Sequence, residues 1–590
     1  MILVPETIVS LAKDDTIGGG NNIVAGASVN ILKVSGGAAT IYSDAAGTTT
    51  ITLPTVTDSN GELKFFIARG EYNYVIAGVT YRKDVIGAVN QGDVIDTWAA
   101  IATVTPNAAG QLFTLKQHTS GGLGGGALMA FAGSVADDGG SKKNCLGGFY
   151  LKRVHYDTLT AFDFGAVKDS STDVTVILQK FADFCSDSGE PFVLKNDENP
   201  LQEYLISAPI VFTGNVSVFG IGSLRPRILC DDCDAFAWPA GATEVIVDNI
   251  RMAQSVRHTT TPNTRIALYF AGSTGARPYY NRVRNVFIDG FGVPIHVQWL
   301  WNTIFTECET VFCGKAIYAE GICVNNTVTS NNFEGNGIGI DLGDGTNTIE
   351  GWLINDNLID GFVTAFDGLG ASYCQIKGNI IDHIGTAGTG VLFRSAASLP
   401  SIGNLIQDNY LAFSNGGSEG IRLLNNLSAA SNMGSVIACN EIIAYSGSLT
   451  RGILIDGTQE TGNIISDNNI KATTYDCDIS GALSTVVTGN TFAGGGFLCT
   501  TPTEYSGNTG SIVSSQELLK RTVATISYYY ASSIPTSGTY KIGDEVKKIN
   551  PSINGNNMIL MGWIRLTNGS AHVSGTDWGL MYVSHVTPAA

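Results

Sequence analysis

Glu334, Asp360 and Asp382 each stand three residues after an asparagine, at 331, 357 and 379, in a frame that the chain repeats. The frame is an aliphatic residue, two variable residues, Asn, one variable residue and an apolar one. It reads "VTSNNF" (328–333), "INDNLI" (354–359), "IKGNII" (376–381), "IQDNYL" (406–411), "IACNEI" (437–442), "ISDNNI" (465–470) and "VTGNTF" (487–492). If the apolar residue two past each Asn faces a core, the residue three past it faces outward, because strand side chains alternate. At that outward position the chain reads Glu334, Asp360, Asp382, then Ala412, Ile443, Lys471 and Ala493. Stacked β-repeats lie about 4.8 Å apart. Acids in consecutive repeats therefore repel one another unless one holds a proton or a ligand intervenes. General acid–base pairs are made from such arrangements. Outward positions are usually polar, and 52 acids among 590 residues place some in stacks by chance. The preferred catalytic pair is Glu334 with Asp360 or Asp382, and His383 is read as a partner of Asp382.

Along the next strand, "IYAEG", "IGIDL", "AFDGL", "LFRSA" and "LIDGT" align Glu320, Asp341, Asp367, Arg394 and, beyond one non-acidic repeat, Asp456. His383, Arg394, Asp341 and Asp367 are candidates for substrate binding. Upstream, "NTIFTECE" aligned with "NTVTSNNF" puts Glu307 where Asn331 stands and Glu309 where Phe333 stands. Acids at ladder and core positions break the local rule, as functional sites tend to do, so Glu309 joins the catalytic candidates. Trp299 and Trp301 in "VQWLWN" are expected to share a strand face, as a sugar-stacking platform or a subunit contact. "GGLGGGA" lacks the Gly-Lys-Ser/Thr that completes a phosphate loop. "CDDC" (230–233) lacks a second pair or a histidine set at zinc spacing. No metal site and no cofactor is implied.

The asparagines recur 26, 22, 30, 31, 28 and 22 residues apart, a fixed local frame with loops of varying length between. The aliphatic residue precedes Asn by an odd offset, so a bend is needed to bring both apolar residues to one core. Asn tolerates the left-handed conformation such a bend requires. Stacked coils then place the amides close enough to hydrogen-bond as a ladder. The expected fold is all-β: a parallel β-helix over residues 161–512.

Gly is plentiful, at 71 residues, and charged residues are few, at 15%. This suits short strands and turns. A net charge of −18 argues against nucleic acid as a partner, and against unaided attraction to an anionic polymer. The eleven cysteines are scattered and read as mostly buried thiols from a reducing cytoplasm. The start shows no signal-peptide pattern, and no apolar window is long enough for membrane insertion. Residues 1–110 read as an N-terminal β-module, 111–160 as a Gly-rich linker, and 513–590 as a separate C-terminal β-module. One helix is expected: "DSSTDVTVILQKFADFCSDSG" spaces Val174, Ile177, Leu178, Phe181 and Phe184 helically, with Ser171 or Thr172 as N-cap and Gly189 past the end. It would cap the open end of the repeats.

"DFGAVKDSSTDVTVILQKF" (163–181) resembles the entry motif of pectate-lyase-like β-helices in bacteriophage tailspikes and capsular polysaccharide depolymerases, without their common Gly after Asp169. "IYSDAAGTTTITLPTVTDSNGELKFFIARGEYNYVIAG" resembles a module common in phage tail fibres, and "GTYKIGDEV…MGWIRLTNG…W" one found at tailspike C-termini. The resemblance implies a right-handed β-helix in a homotrimeric virion appendage made in the host cytoplasm. The N-terminal module would bind the phage tail or an adaptor protein. The β-helix would act on a bacterial capsular or O-antigen polysaccharide, and the C-terminal module would serve trimerisation or carbohydrate binding. Outward Leu358, Ile380 and Tyr410 suit a subunit interface. Three functions stay open: an endo-acting glycoside hydrolase using paired carboxylates, a polysaccharide lyase acting on a uronic acid, and a non-catalytic receptor-binding spike. The abundance of acids favours hydrolysis. Under the lyase reading His383 is the base and Arg394 the neutralising cation.

Overall fold

The computed structural model describes residues 3–584 except 10, 14–20, 24–27, 34–37, 44–47, 57–61, 69, 77–78, 86–93, 121, 155–157, 197–201, 257–263, 386, 397–398, 415–418, 425–433, 446–447, 457–460, 481, 483, 500–502, 513–518, 524–525 and 554–557. The chain divides into two compact units: residues 1–168 with 176–184 and 191–195, and residues 169–175, 185–190 and 196–590.

Among its described residues the first unit holds two larger apolar clusters and a smaller one around Leu112, Met129 and Val154. Of the larger two, one gathers Val29, Ile31, Ile41, Phe65, Ile67 and Tyr74. The other gathers Ile95, Trp98, Ile101, Phe113, Leu115, Leu128, Ala130 and Leu151 inside a five-stranded sheet. The segment 111–160, expected to be a linker, therefore contributes strands Leu112–Leu115, Gly126–Ala132, Lys142–Asn144 and Phe149–Arg153 to a packed core. Its glycines sit mainly at strand ends and turns, several at positive φ, and leave the alternating apolar residues free to pack. The entry motif serves this unit. Asp163 ion-pairs with Arg153 at 3.1 Å, and Phe164 packs on Phe181 and Phe184 at ring distances of 4.8 and 5.3 Å. Gly165, at φ 90°, lies where a Cβ would strike the His118 ring at 2.2 Å.

The helix α1 (Thr175–Ser188) forms and ends at Gly189 in the left-handed region. It starts later than expected. Ser171 and Thr172 donate instead to the Asp169 carboxylate, and the Thr175 N–H and hydroxyl donate to Asp173.

The second unit is a parallel β-helix built on two long sheets. Each regular coil supplies three short strands, as in Leu353–Asn355, Leu358–Asp360 and Thr364–Leu369, here called its first, second and third faces. Val328, Ile354, Ile376, Ile406, Ile437, Ile465 and Val487 lie in lateral register on the first face. Phe333, Ile359, Ile381, Leu411, Ile442, Ile470 and Phe492 do so on the second. All fourteen are buried, and a fully buried side chain of this size contributes about 1.5–3 kcal/mol.

The asparagine ladder joins these faces at their corner. Each Nδ2 donates to the next Oδ1 from Asn331 through 357, 379, 409, 440, 468 and 490, at 2.8–2.9 Å. Asn508 adds an eighth rung at 2.8 Å. The left-handed residue is not the Asn but the one before it: Ser330, Asp356, Gly378, Asp408, Cys439, Asp467 and Gly489 all have φ between 55 and 70°. The bend turns the Asn side chain inward, where it also donates to the carbonyl of the first-face core residue one coil back, as Asn409 does to Ile376 at 2.8 Å.

The C-terminal strands form a small β-module with its own core of Tyr529, Ala531, Tyr540, Val546, Trp563 and Trp578, hydrogen-bonded to the end of the first-face sheet. Thr503–Ser506 pairs in parallel with Leu519–Val523, and the sheet runs on to Trp578–Ser584. No cysteine forms a disulfide, and nine of the eleven are buried. Among the described residues, no helix is long and apolar enough to cross a membrane.

Candidate active site on the outer faces

The second-face strands place Glu334, Asp360 and Asp382 side by side, one per coil. His383 ends its strand in the left-handed region, φ 49°, which turns its ring back over the column. Nδ1 lies 2.9 Å from Asp360 Oδ1 and 3.4 Å from Asp382 Oδ2, while the His383 N–H donates to Asp382 Oδ1 at 2.7 Å. The ring therefore favours Asp360, the acid one coil back, over the Asp382 partner expected from adjacency. Tyr445, 63 residues further on, donates its hydroxyl to Asp382 Oδ1 at 2.9 Å and meets the His383 ring edge-on at 6.1 Å. Burial and then the hydrogen bond and charge of Asp382 push the Tyr445 hydroxyl above its usual range. Glu334 is exposed, and its carboxylate has no partner among the described residues. The site thus offers two oriented carboxylates and one unpaired.

The third face carries a second cluster, in a register different from the one expected. Tyr318, Asp341 and Asp367 align, but Glu320 aligns with Gln298, and Arg394 aligns with Leu369, Leu424 and, through Leu424, Asp456. Glu320, Arg394 and Asp456 thus stand two residues beyond the Asp341–Asp367 column. A two-residue slip keeps the in–out alternation, so hydrophobic pattern cannot detect it. Arg394 nonetheless reaches back to Asp367 through Nε and a terminal nitrogen, at 2.8 and 2.7 Å. Lys315 Nζ lies 2.6 Å from Asp341. Burial pushes the Asp341 carboxyl up against the opposing pull of Lys315.

Glu307 and Glu309 are each one position off the expected alignment. Cys308 takes the ladder position, its N–H donating to Asn331 Oδ1 at 2.9 Å, and Thr310 takes the core position beside Phe333. Glu307 sits at the left-handed corner and Glu309 faces outward beside Asn332, so neither acid breaks the pattern. The alignment on Asn302 and Asn326 misled because Asn302 is itself the left-handed residue of another corner. Glu309 lines an open cleft of about 530 Å³ with Glu307, Asn332, Asp356, Leu358 and Ile380, along the outward column next to Glu334, Asp360 and Asp382 on the same strands. Trp299 lies in a left-handed turn rather than on a strand face with Trp301. Arg277 covers both rings, at 5.9 and 4.4 Å.

The structure therefore gathers Glu334, Asp360, Asp382 and His383, and separately Asp341, Asp367 and Arg394. Sequence reasoning missed Tyr445, which nothing local marks. It also missed His296, Tyr318 and Lys315, although aligning "IHV", "IYA" and "IDL" would have revealed the third-face column. Among the described residues no group of three or more His, Cys, Asp or Glu could hold a metal ion.

Residues 267–429 match the family model of a right handed beta helix region. No curated protein is recognisably similar in sequence. Among solved structures, the chain is similar to tailspike protein gp49 from Acinetobacter baumannii bacteriophage Fri1, a capsular polysaccharide depolymerase. That likeness has 14% identity and a TM-score of 0.49, covering 81% of this chain and 91% of that one. It is also similar to the Streptococcus pneumoniae surface protein and adhesin PfbA, with 13% identity, TM-score 0.44, and coverage of 60% and 99%. A third is the A-module of the Azotobacter vinelandii mannuronan C-5 epimerase AlgE6, with 16% identity, TM-score 0.42, and coverage of 61% and 100%. The family match and the strand register together make residues 267–429 part of a right-handed parallel β-helix.

Proposed function

We propose that this chain is a tailspike-type depolymerase that hydrolyses glycosidic bonds of a bacterial surface polysaccharide. The observation that carries this reading is the in-register column of Glu334, Asp360 and Asp382, with His383 and Tyr445 fixing the last two. Neighbouring coils are about 4.8 Å apart, near the roughly 5 Å of a retaining pair, and carboxylates two coils apart are near the upper limit of about 9.5 Å for an inverting pair. Glu334, unpaired and exposed, protonates the leaving oxygen. Asp382 accepts the His383 N–H and the Tyr445 hydroxyl on Oδ1, and its Oδ2, only loosely approached by His383 Nδ1 at 3.4 Å, takes a proton from the attacking water. Asp360, held by His383, lies between them. This division favours inversion.

Elimination fits less well. His383 is committed to the acid column and Arg394 to Asp367, so the base and the cation of a lyase do not meet. Tyr318, another base of the right type, is pushed up to about 12 by burial and the Glu320 carboxylate. In this reading the protein is a homotrimer on the phage tail, attached through its N-terminal module. Exposed Leu358 and Ile380, beside Tyr410, supply a subunit contact close to the acids. The test is Glu334→Gln and Asp382→Asn in the full chain. Each should cut turnover by orders of magnitude while polysaccharide binding and oligomeric state stay unchanged. Unchanged turnover in either variant would contradict the pair, and absence of turnover in the parent chain would favour a binding spike.

A further inference from the structure

The third face, two strands along from the ladder, presents Tyr269, His296, Tyr318, Asp341 and Asp367 in lateral register on five successive coils. The first three rings pack in sequence, with centroids 5.0 and 4.9 Å apart. Glu320 is a hub beside them. It accepts from the Gln298 amide, from the Tyr318 hydroxyl at 3.2 Å, and pairs with His296 Nε2 at 3.0 Å. The Tyr269 hydroxyl donates to Gln298 at 2.7 Å, and Lys315 lies 4.0 Å above the Tyr318 ring while pairing with Asp341.

Folding alone does not account for this network. Outward positions need only be polar, and ion pairs as buried as Lys315–Asp341 and Arg394–Asp367 add little that apolar side chains would not. The run covers four coil steps, about 19 Å, which suits an extended chain lying along the helix axis. Its free capacity is for hydroxyl donors. An ionised carboxylate offers about four lone-pair sites. On Glu320, the more exposed acid of the strip, Gln298, His296 and Tyr318 fill three, which leaves one within reach, whereas Asp341 and Asp367 are buried against Lys315 and Arg394. The cations are already committed, and burial lowers the His296 proton affinity, so an anion finds no unpaired positive charge here.

We infer that this third-face strip is a second saccharide-binding site, which holds an uncharged, hydroxyl-rich segment of the polymer away from the cleaved bond. The inference rests on the proposed depolymerase reading for its ligand, but not on the acid column for its test. The probe is the polysaccharide that the full chain depolymerises, bound to the full-length Asp382→Asn protein so that turnover does not intervene. Tyr318→Phe and Gln298→Ala, each in that background, should weaken polymer binding about tenfold or more with thermal stability retained. Gln298→Ala, at a partly exposed position, serves if the tyrosine variant loses stability. In the otherwise unaltered enzyme the same changes should raise KM for polymer and leave kcat within about twofold, the mark of lost uniform binding. Affinity should also change little between about 0.05 and about 0.5 M salt, because no exposed charge pair is screened. Unchanged binding in folded variants would overturn the site, as would a steep salt dependence, which means an anionic ligand. A collapse of kcat at constant KM would also overturn it, by moving chemistry to this face. If instead Glu334→Gln and Asp382→Asn keep full turnover, the acid-column reading fails, and the strip is decided by the KM and kcat of Tyr318→Phe and Gln298→Ala in the otherwise unaltered enzyme.

Discussion

Replacing Asn409 tests how the coils are held in register. This side chain is 2% exposed and makes four ladder bonds. Nδ2 donates to the Ile376 carbonyl at 2.8 Å and to Asn440 Oδ1 at 2.9 Å; Oδ1 accepts from the Asn379 N–H at 3.0 Å and from Asn379 Nδ2 at 2.9 Å. Asn409→Ala removes all four and leaves the Asn379 N–H facing an apolar gap that solvent does not reach. At about 1 kcal/mol for each of the other three bonds, with about 1–3 kcal/mol for the stranded buried donor, the loss comes to about 4–6 kcal/mol. Asn508→Ala breaks an equally short rung, but Asn508 is half-buried at the end of the ladder, so water replaces its bonds and the loss is about 1–2 kcal/mol. Asn409→Asp should be worse than Ala, since it sets carboxylate oxygens against the Ile376 carbonyl and Asn440 Oδ1. The assay is denaturant unfolding of the full chain, with limited proteolysis to detect local opening where unfolding is irreversible. Equal losses for Asn409→Ala and Asn508→Ala, or Asp tolerated better than Ala, would refute an energetic role for the buried ladder.

Tyr445→Phe removes one hydrogen bond to Asp382 and nothing else from the acid column. It should lower kcat about tenfold, the equivalent of about 1.4 kcal/mol, at constant KM, and shift the acid limb of the pH–rate profile upward; an unchanged profile would deny Tyr445 a positioning role. Asp344 is held down to about 2: burial would raise it, but donors from Thr346, Asn347 and Gly321 outweigh that. Its folded value lies below the ordinary 3.8, so its stabilisation is present above that pH and lost as pH falls from there towards about 2. Asp344→Asn should therefore flatten part of the acid melting curve, and an unaltered curve would count against it. A chain beginning at Val94 should fold and keep depolymerising. One beginning at Asp157 should be markedly less stable, because it lacks Arg153, which bonds the Asp163 carbonyl and ion-pairs with the Asp163 carboxylate in the entry motif that remains. Equal melting temperatures for the two truncations would contradict this.

The sequence revealed what repeats locally. The Asn frame fixes a corner within six residues, so the core pairs, the ladder and the Glu334–Asp360–Asp382 column could all be read from it. Asn508 escaped because Tyr505 stands where the frame has an aliphatic residue. The left-handed residue was misplaced by one because Ser, Asp, Gly and Cys all occupy it, and no single residue type marks the position. On the third face nothing pins register at the level of two residues, so Glu320 and Arg394 were set in the wrong column. Tyr445 was invisible: it reaches Asp382 across two coils whose loops differ in length, and only the folded solenoid brings them together. The Gly-rich texture of 111–150 hid four alternating core residues, Phe113, Leu115, Leu128 and Ala130, between its turns.

The most direct measurement is product analysis of a purified capsular polysaccharide digested by the full chain, with the anomeric configuration of the first products followed by NMR. The account predicts new reducing ends of inverted configuration, formed by the parent protein and lost in both Glu334→Gln and Asp382→Asn. Products of retained configuration would move the pair to Glu334 and Asp360. Products bearing an unsaturated uronate, with its ultraviolet absorbance and no dependence on Glu334, would contradict the hydrolytic account altogether.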